Sequence, residues 1–191
     1  AVAHGAKSFV LASSGGIYGP SQTPILETAP IKAASELGFY LSAKAAAETL
    51  VEFFAPHIAV HKLRYFFIYG PGQRDEFLIA RMLRSVQEGL PIRLAQGTGP
   101  RLNPIHVEDA SYATISAIRC AVPVTANIAG PEIANLSTIV DRLGTLLGRR
   151  PNLQPNSDAP QDYVADATIM SRHLHVARIG LETGLAMICN P

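Results

Sequence analysis

Tyr40 and Lys44 are the pair whose residue types and spacing could do chemistry. They are four positions apart, so on a helix both side chains lie on one face. A free tyrosine titrates near ~10, and an ammonium close by favours the phenolate. Such a pair can pass a proton to or from an alcohol or ketone oxygen while hydride passes to or from a nicotinamide at the same carbon.

The residues before this pair supply a hydroxyl that the same chemistry needs. Residues 8–12 form a short apolar run with the length of a buried strand, and a Ser-Ser-Gly-Gly turn at residues 13–16 ends it. We expect Ser14 to hold the substrate oxygen that Tyr40 protonates or deprotonates. Two other interpretations stay open at this point. Ser14 could bind the backbone of its own turn, and Tyr40 could be a half-buried packing residue.

The alternation of strands and helices along the chain predicts the α/β class with a mainly parallel sheet. Tyr40 and Lys44 fall on a predicted helix from Glu36 to Phe54, and a predicted loop from Pro20 to Pro30 lies over the site. The next predicted elements are a strand 58–69, a helix 75–88 stopped by Gly89, and a strand 92–95. After them we predict a helix capped by Asp109 and ending at residue 120, a strand 126–129, and a helix 138–147 capped by Ser137. The last elements are an irregular segment 151–161 and two short helices within 167–189, divided near Gly180.

The composition excludes several classes of protein. Of the 191 residues, 48% are apolar, which is ordinary for a globular protein, and 16% are charged, against a usual ~25%. A net charge of +1 gives no reason to expect nucleic acid or an acidic membrane surface as a partner. No apolar run approaches the ~18 residues of a membrane span, and no signal peptide is recognisable.

The cysteines and histidines indicate neither disulfides nor a metal site. Cys120 and Cys189 are far apart in sequence and are predicted to be free thiols in a reducing compartment, which favours the cytoplasm. The six histidines lack a metal-binding spacing, and His173 and His175 are assigned to a polar helix end. No metal site is therefore predicted.

Several segments extend the pattern beyond Ser14, Tyr40 and Lys44. They are Ser13–Gly19, Tyr40–Lys44, Leu63–Gly72, Gly97–Arg101 with Ile105–Asp109, and Asn127–Gly130. In this order they resemble the extended short-chain dehydrogenase/reductases, in the NAD-dependent epimerase/dehydratase group, over nearly the whole chain. The resemblance implies the C-terminal part of a Rossmann-like, mainly parallel sheet with an interleaved smaller α/β substrate lobe. It assigns residues 1–71 and 105–130 to the NAD-binding domain, and 72–104 and 131–191 to the substrate-binding lobe.

The resemblance also implies roles for individual residues. The implied catalytic residues are Ser14, Tyr40 and Lys44. The implied NAD contacts are Tyr40, Lys44, Tyr65 and Phe66, and the implied substrate contacts are Ser14, Phe67 and Arg101. Ser14 is preferred to Ser13 because it lies three residues before Ile17, as in the family pattern. Arg101 resembles the arginine that epimerases of this group use on the substrate diphosphate, and a guanidinium fork suits phosphate oxygens.

The chain departs from the family pattern at positions that bear on the substrate. Phe67 stands where the family usually has an asparagine, and the stretch from Pro155 to Asp162 lacks a second phosphate-binding arginine. These departures favour a substrate that is smaller or less charged than a nucleotide sugar. Gly15 and Gly16 occupy the positions where sugar-nucleotide dehydratases carry Asp-Glu, so a 4,6-dehydratase is disfavoured against an epimerase or reductase.

The chain also lacks the family's dinucleotide fingerprint. No Gly-x-x-Gly-x-x-Gly turn and no acidic residue for the adenosine ribose can be recognised. At ~30 residues per strand–helix–strand unit, we expect something like ~90 residues upstream, and we expect the given chain by itself to be inactive. NAD is the implied cofactor, with NADP as the alternative because the ribose-binding segment is not recognisable.

Three hypotheses about function follow. The favoured one is the catalytic and substrate-binding portion of an NAD-dependent nucleotide-sugar epimerase-like enzyme. The second is an NADP-dependent carbonyl reductase of the same superfamily, and the third is a truncated, non-catalytic binding protein. The expected partners are a small-molecule substrate and a second copy of the chain. A stripe of Ala43, Ala47, Leu50 and Phe54 on the predicted helix fits either core packing or the dimer interface that this helix commonly joins in the family.

Overall fold

The computed structural model describes residues 1–189. Its strands are β1 (Ser8–Ser14), β2 (Ala59–Tyr65), β3 (Ile68–Tyr69), β4 (Pro91–Ala95), β5 (Arg101–Leu102), β6 (Ile105–His106), β7 (Thr125–Ile128), β8 (Ala134–Asn135) and β9 (Asn152–Asn156). Its helices are α1 (Ala34–Glu52), α2 (Leu78–Glu88), α3 (Val107–Arg119), α4 (Leu136–Leu147), α5 (Thr168–His173) and α6 (Leu181–Cys189). Short 3₁₀ helices occupy Val2–His4 and Gly15–Tyr18. None of the helices in residues 1–189 is both long enough and apolar enough to cross a membrane.

A parallel sheet in the order β1–β2–β7 supports the carboxyl edge at which the predicted site lies. Ser14 pairs with Tyr65 across β1 and β2, so these two strands end side by side. Successive residues of β2 point to opposite faces. Arg64 therefore reaches α1 on one face, while Leu63 packs against the alanines of α3 on the other. The predicted α/β class with a mainly parallel sheet is confirmed, and β5–β8 is the antiparallel pair within residues 1–189.

A second hydrophobic core lies under the helices α2, α4 and α6. Ile79, Val86, Ile139, Leu143 and Leu185 are all at most 2% exposed within it. Beside it, β9 pairs in parallel with β4, so the prediction that residues 151–161 are irregular is wrong for 152–156. The sequence Asn-Leu-Gln-Pro-Asn has low strand propensity, and backbone pairing to β4 supplies the order that the side chains do not indicate.

The predicted strand 58–69 is broken, which corrects the sequence-based boundary. β2 ends at Tyr65, and β3 pairs instead with β6. Between them Phe67 has a φ of 45°, which an extended strand cannot contain. The sequence around the turn, residues 65–69, is apolar or aromatic throughout, so hydrophobicity alone gave no sign of the break.

Three helix starts also differ from the predictions. α3 begins at Val107 after His106, so Asp109 does not cap it and instead lies in its first turn. α4 begins at Leu136 with Asn135 before it, and Ser137 is not its cap. α2 begins at Leu78 instead of residue 75, and Phe77, just before it, is 46% exposed. The predicted ends at Gly89 and Gly148 are confirmed by their left-handed φ values of 69° and 61°, and the division of the tail near Gly180 is also confirmed.

A buried ion pair fastens α1 to the sheet. Nε and Nη2 of Arg64 donate to the two carboxylate oxygens of Glu48 at 2.9 and 2.6 Å, and the two residues are 5% and 3% exposed. The hydroxyl of Ser13 also donates to Glu48, and Nη1 of Arg64 donates to Tyr18 and to the carbonyl oxygen of Glu27. Burial by itself would raise the pKa of Glu48, but the hydrogen bonds from Arg64 and Ser13 hold that pKa below its ordinary value.

Replacing Glu48 tests how much this pair contributes to stability. Glu48→Gln is expected to lower the free energy of unfolding by about 3–5 kcal/mol, because it leaves the Arg64 guanidinium buried without its counter-charge. Glu52→Gln is the matched control: Glu52 is half-exposed and pairs with Lys62 from the same helix to the same strand, so its loss should stay below ~1 kcal/mol. Urea denaturation at neutral pH measures both values, and equal losses would contradict the assignment.

The same pair predicts how stability responds to acid. The pKa of Glu48 in the folded protein lies below its unfolded value. The contribution of the pair to the free energy of unfolding is therefore fully present above a pH of about 4.3, and it is lost as the pH falls through the folded pKa. The Glu48→Gln variant should lack this part of the acid dependence.

Candidate active site

A cleft of about 850 Å³ lies at the carboxyl edge of β1 and β2. Of the residues singled out from the sequence, it is lined by Ser14, Tyr40, Lys44, Tyr65, Phe66 and Phe67. These residues come from two strand ends and one helix, and parallel pairing of β1 with β2 brings them together. A crevice at the carboxyl ends of parallel strands is the usual ligand site of open α/β sheets.

Lys44 is held against the strand that carries Ser14. Its Nζ donates to the carbonyl oxygen of Ala12 at 2.8 Å and lies 5.6 Å from the centre of the Tyr40 ring. An ammonium has three N–H donors, so this bond fixes the side chain and leaves donors for a ligand in the cleft. The predicted proximity of the lysine and tyrosine side chains on one helical face is present in the fold.

Tyr40 begins the regular part of α1, just after a kink. Gly38 has φ 68° and ψ 170°, a conformation that is essentially restricted to glycine. The Ser42 hydroxyl donates across the kink to the carbonyl oxygen of Ala34 at 3.0 Å. Tyr40 is 63% exposed at the cleft, which is more than the alternative interpretation, a half-buried packing residue, would give.

Ser14 both binds the backbone of its own turn and lies in the cleft, as the two interpretations of the sequence separately proposed. Its Oγ accepts a hydrogen bond from the backbone N–H of Gly16 at 3.2 Å, and the residue also lines the cleft. The two glycines that follow are closely surrounded by neighbouring side chains. A Cβ on Gly15 would lie 2.1 Å from the Phe66 ring, and one on Gly16 would lie 2.8 Å from Leu41. Side chains at these two positions would therefore require Phe66 and Leu41 to move.

Phe66 is the most enclosed of the predicted cleft residues, and Tyr65 is partly buried. The Tyr65 hydroxyl is 2.7 Å from Oγ1 of Thr114, and burial raises the pKa of Tyr65 above its ordinary value. Phe66 is 2% exposed and stacks on Tyr18 with ring centres 6.3 Å apart. Both residues line the cleft, where a cofactor could contact them. That contact stays a prediction.

Arg101 lies outside this set of cleft residues. Its Nε donates to Asp162 at 2.7 Å, its backbone N–H donates to the same carboxylate at 2.8 Å, and Nη2 donates to the carbonyl oxygen of Gln22 at 3.0 Å. Burial would raise the pKa of Asp162, but these bonds from Arg101 hold that pKa below its usual range. A substrate role for Arg101 stays a prediction, although its present contacts hold two loops together.

The loop 20–30 does not cover the cleft, which corrects the sequence-based expectation. Ser21 N–H donates to the carbonyl oxygen of Asp162, and Ile25 N–H donates to that of Val164, so the loop packs on residues 162–166. The turn residues of this segment predicted a loop but gave no information about its destination.

Tyr163 is a cleft residue that the sequence did not single out. Its ring meets Phe67 edge-on with centres 6.1 Å apart, and burial raises the pKa of its hydroxyl. Tyr163 lies 96 positions from Phe67 in sequence and belongs to no motif. Its backbone N–H donates to the carbonyl oxygen of Arg101 at 3.0 Å, so both Phe67 and Arg101 connect it to residues predicted from the sequence.

A family model described as the NAD dependent epimerase/dehydratase family matches residues 1–129. The chain belongs to this family. Among curated proteins, epimerase/dehydratase relatives include UDP-glucuronate 4-epimerase of Thermodesulfobacterium geofontis, 28% identical over 76% of this chain and 46% of the relative. Another is the uncharacterized UDP-glucose epimerase YtcB of Bacillus subtilis, 25% identical over 90% of this chain and 56% of the relative. The chain thus spans about half the length of these relatives.

Solved structures confirm the Rossmann-like fold expected for the family. MoeE5 in complex with UDP-glucuronic acid and NAD has a TM-score of 0.85 and 28% identity, covering 98% of this chain and 65% of that one. UDP-glucose 4-epimerase of Thermus thermophilus in complex with NAD has a TM-score of 0.82 and 23% identity, covering 97% of this chain and 64% of that one. At the latter identity the likeness shows the fold alone.

The kink at Gly38 yields a prediction about the placement of Tyr40. Gly38→Ala is expected to lose about 1–3 kcal/mol of stability through backbone strain and, by shifting the start of the regular helix, to lower turnover of the complete enzyme about 10–100-fold. Gly89→Ala is the control, since Gly89 has a φ of 69° and open space around it but lies at the end of α2. Thermal unfolding and steady-state rates separate the two effects. Equal turnover in the two variants would contradict a positioning role for Gly38.

Proposed function

We propose that this chain is the catalytic and substrate-binding part of an NAD-dependent, epimerase-like enzyme that oxidises and reduces a hydroxyl-bearing carbon. One observation carries the proposal: Ser14, Tyr40 and Lys44 line a single cleft, although they come from a strand end and a helix. The solved neighbours that contain NAD support the choice of cofactor. The complete trio favours an enzyme over the non-catalytic binding protein.

Each residue of the trio has a defined task in this proposal. The Tyr40 phenolate accepts the proton of the substrate hydroxyl, while the Ser14 hydroxyl donates a hydrogen bond to the same oxygen. The Lys44 ammonium, fixed by Ala12, stabilises the negative charge on Tyr40 when the proton is absent. A bound NAD would supply the acceptor for the C–H hydrogen with its electron pair, and the donor for their return. Return of the proton from Tyr40 then regenerates the alcohol, so atoms and charges balance.

The cleft residues fit the nicotinamide side of NAD. Lys44 has N–H donors left for ribose hydroxyls, and Tyr40 is open to the cleft. Tyr65 and Phe66 form part of the wall on which the cofactor would lie. NADP remains the alternative cofactor, because these residues lie on the nicotinamide side and none of them would contact the adenosine ribose, where NAD and NADP differ.

Two substrate classes fit this chemistry. The names of the relatives support a nucleotide sugar, for which epimerisation would follow oxidation and return of hydrogen to the other face. An uncharged carbonyl compound, as in a reductase, is favoured by a specific observation: Arg101 is bound to Asp162 and lies outside the cleft lining. Both classes share the same roles for Ser14, Tyr40 and Lys44.

The outer face of α1 supports a homodimer. Phe39, Leu50 and Phe53 are 92%, 69% and 77% exposed there, and they alternate with the exposed residues Ala43 and Ala46 at spacings of four and three. That spacing is the heptad pattern of helices that pack side by side, and the alanines allow close approach. Of the stripe predicted from the sequence, Ala43, Leu50 and Phe54 are exposed and Ala47 is half-buried, which supports the interface rather than the core-packing alternative. In the exposed stripe Ala46 and Phe53 take the places of Ala47 and Phe54. A second copy of the chain is the proposed occupant.

A charge on this stripe should break the dimer. Leu50→Glu is expected to convert a dimer to a monomer in light scattering after gel filtration, because it places carboxylates in an apolar contact. Val122→Glu is the control, since Val122 is 70% exposed but lies in the loop between α3 and β7. A wild-type monomer at all concentrations, or a dimer that survives Leu50→Glu, would refute the assignment.

The thiols and the net charge bear on the cellular location and the partners of the enzyme. The separate, unpaired thiols of Cys120 and Cys189 fit the reducing cytoplasm, which is the proposed location. A small molecule is the proposed partner besides the second copy, and the net charge of +1 gives no support for nucleic acid.

Removing the Tyr40 hydroxyl is the direct test of the proposed chemistry. Tyr40→Phe should leave the fold intact, since the side chain is largely exposed, and should lower turnover of the complete enzyme by ~10²-fold or more. Tyr112→Phe is a matched control, because Tyr112 is 57% exposed on α3 and does not line the cleft. Steady-state rates with circular dichroism measure the two effects, and wild-type turnover in Tyr40→Phe would refute the proposal.

A further inference from the structure

The cleft beside Tyr40 is mostly apolar and carries little charge. Its lining includes Phe67, Phe77, Leu78 and Tyr163. Among its described lining residues the charged ones are Lys44 and Glu76. Lys44 already donates to Ala12, and Glu76 pairs with Arg74 at 3.2 Å. The described lining of the cleft therefore contains no arginine that could bind an anionic ligand.

A second cavity of about 670 Å³ adjoins the first and shares Phe67, Leu78 and Tyr163 with it. Among its described lining residues the charged one is Asp158. The two cavities together thus present one cation and two carboxylates. A diphosphate group needs cationic or N–H partners to leave water, and carboxylates oppose its negative charge.

Phe67 stands at the junction of the two cavities in a disfavoured backbone conformation. Its φ is 45°, in the left-handed region where glycine and asparagine are common and a bulky L-residue is an outlier. The edge-on contact with Tyr163 and packing against both hydrophobic clusters hold the ring there. A strained residue retained at a cleft points to a role in ligand binding.

We infer that the cleft selects an uncharged carbonyl or hydroxyl compound with a flat apolar group, and that Phe67 and Tyr163 bind that group. This inference rests on the proposed oxidation–reduction at Tyr40 and names the substrate class for the same site. The aromatic pair offers both a ring face and a ring edge, which suit an aryl or similarly flat group at the van der Waals distance. The reacting C–O group lies toward Ser14 and Tyr40. The charges that line the two cavities, rather than their size, disfavour a nucleoside diphosphate.

The experiment compares two probes on the complete enzyme. 4-Phenylbutan-2-one represents the uncharged aryl ketones, and UDP-glucose represents the nucleotide sugars. Saturation-transfer NMR and calorimetric titration measure binding in the presence of the dinucleotide, and cofactor absorbance measures ketone reduction. The variants are Phe67→Asn, which suits a positive φ but removes the ring, and Gln96→Asn, which replaces the other described non-glycine residue at positive φ. Gln96 lies at the end of β4 and lines neither cavity.

The wild type should bind the ketone more tightly than UDP-glucose. Phe67→Asn should raise both the Kd and the KM for the ketone about tenfold or more and change kcat less, since an apolar contact worth more than a methylene is lost. Gln96→Asn should leave all these values unchanged.

Tighter binding of UDP-glucose, no detectable binding of the ketone, or ketone binding that is indifferent to Phe67→Asn would overturn the inference. The proposed function fails separately: if the ketone binds in a Phe67-dependent manner but is not reduced, or if its reduction survives Tyr40→Phe, the substrate class stands and the assigned chemistry does not.

Discussion

The buried pair between Glu48 and Arg64 is the constraint on which the rest of the site depends. Tyr40, Lys44 and Glu48 are spaced four residues apart and form one line along α1. At one end of this line Glu48 is buried and held to β2 by two charge-assisted hydrogen bonds. In the middle Lys44 is tied to β1, and at the other end Tyr40 projects into the cleft. The anchor therefore sets the distance of the Tyr40 hydroxyl from the strand ends.

The net contribution of the Glu48–Arg64 pair to stability is small. Its main effect is to fix the position of α1. Taking two charges out of water costs free energy, and a bidentate pair recovers that cost only when its partners are well placed. The surrounding hydrogen bonds from Ser13 and to Tyr18 and Glu27 satisfy the remaining polar atoms of the pair. The result is one defined position for α1 over the sheet. A purely apolar contact between helix and sheet would fix that position less strictly.

The other side of the cleft depends on the break between β2 and β3. If the strand continued as its apolar sequence predicts, Phe66 and Phe67 would alternate across the sheet. The positive φ of Phe67 turns the chain instead, and β3 then pairs with β6. Phe67 consequently packs against two hydrophobic clusters at once, one under the sheet edge and one among α2, α4 and α6. The cleft lies where these two cores meet.

The sequence correctly predicted features that depend on near neighbours. The side-by-side placement of Tyr40 and Lys44 follows from helical periodicity, and the ends of α2 and α4 follow from glycines that adopt positive φ. Predictions failed where the partner was distant. The strand β9 exists because β4 offers it backbone hydrogen bonds, and the start of α3 depends on His106 rather than on the acidic residue that was expected to cap it.

By itself, the sequence determined the class of the fold and the family, and it singled out Ser14, Tyr40 and Lys44 as candidates for proton transfer, because residue type and local spacing carry that information. Tertiary structure alone decided which of those residues share a cleft. It placed Ser14 beside Tyr65 through strand register, bound Arg101 to Asp162, and brought Tyr163 against Phe67. These outcomes depend on pairings between segments tens of residues apart, for which the entropy of closing the chain is balanced only by the whole folded core.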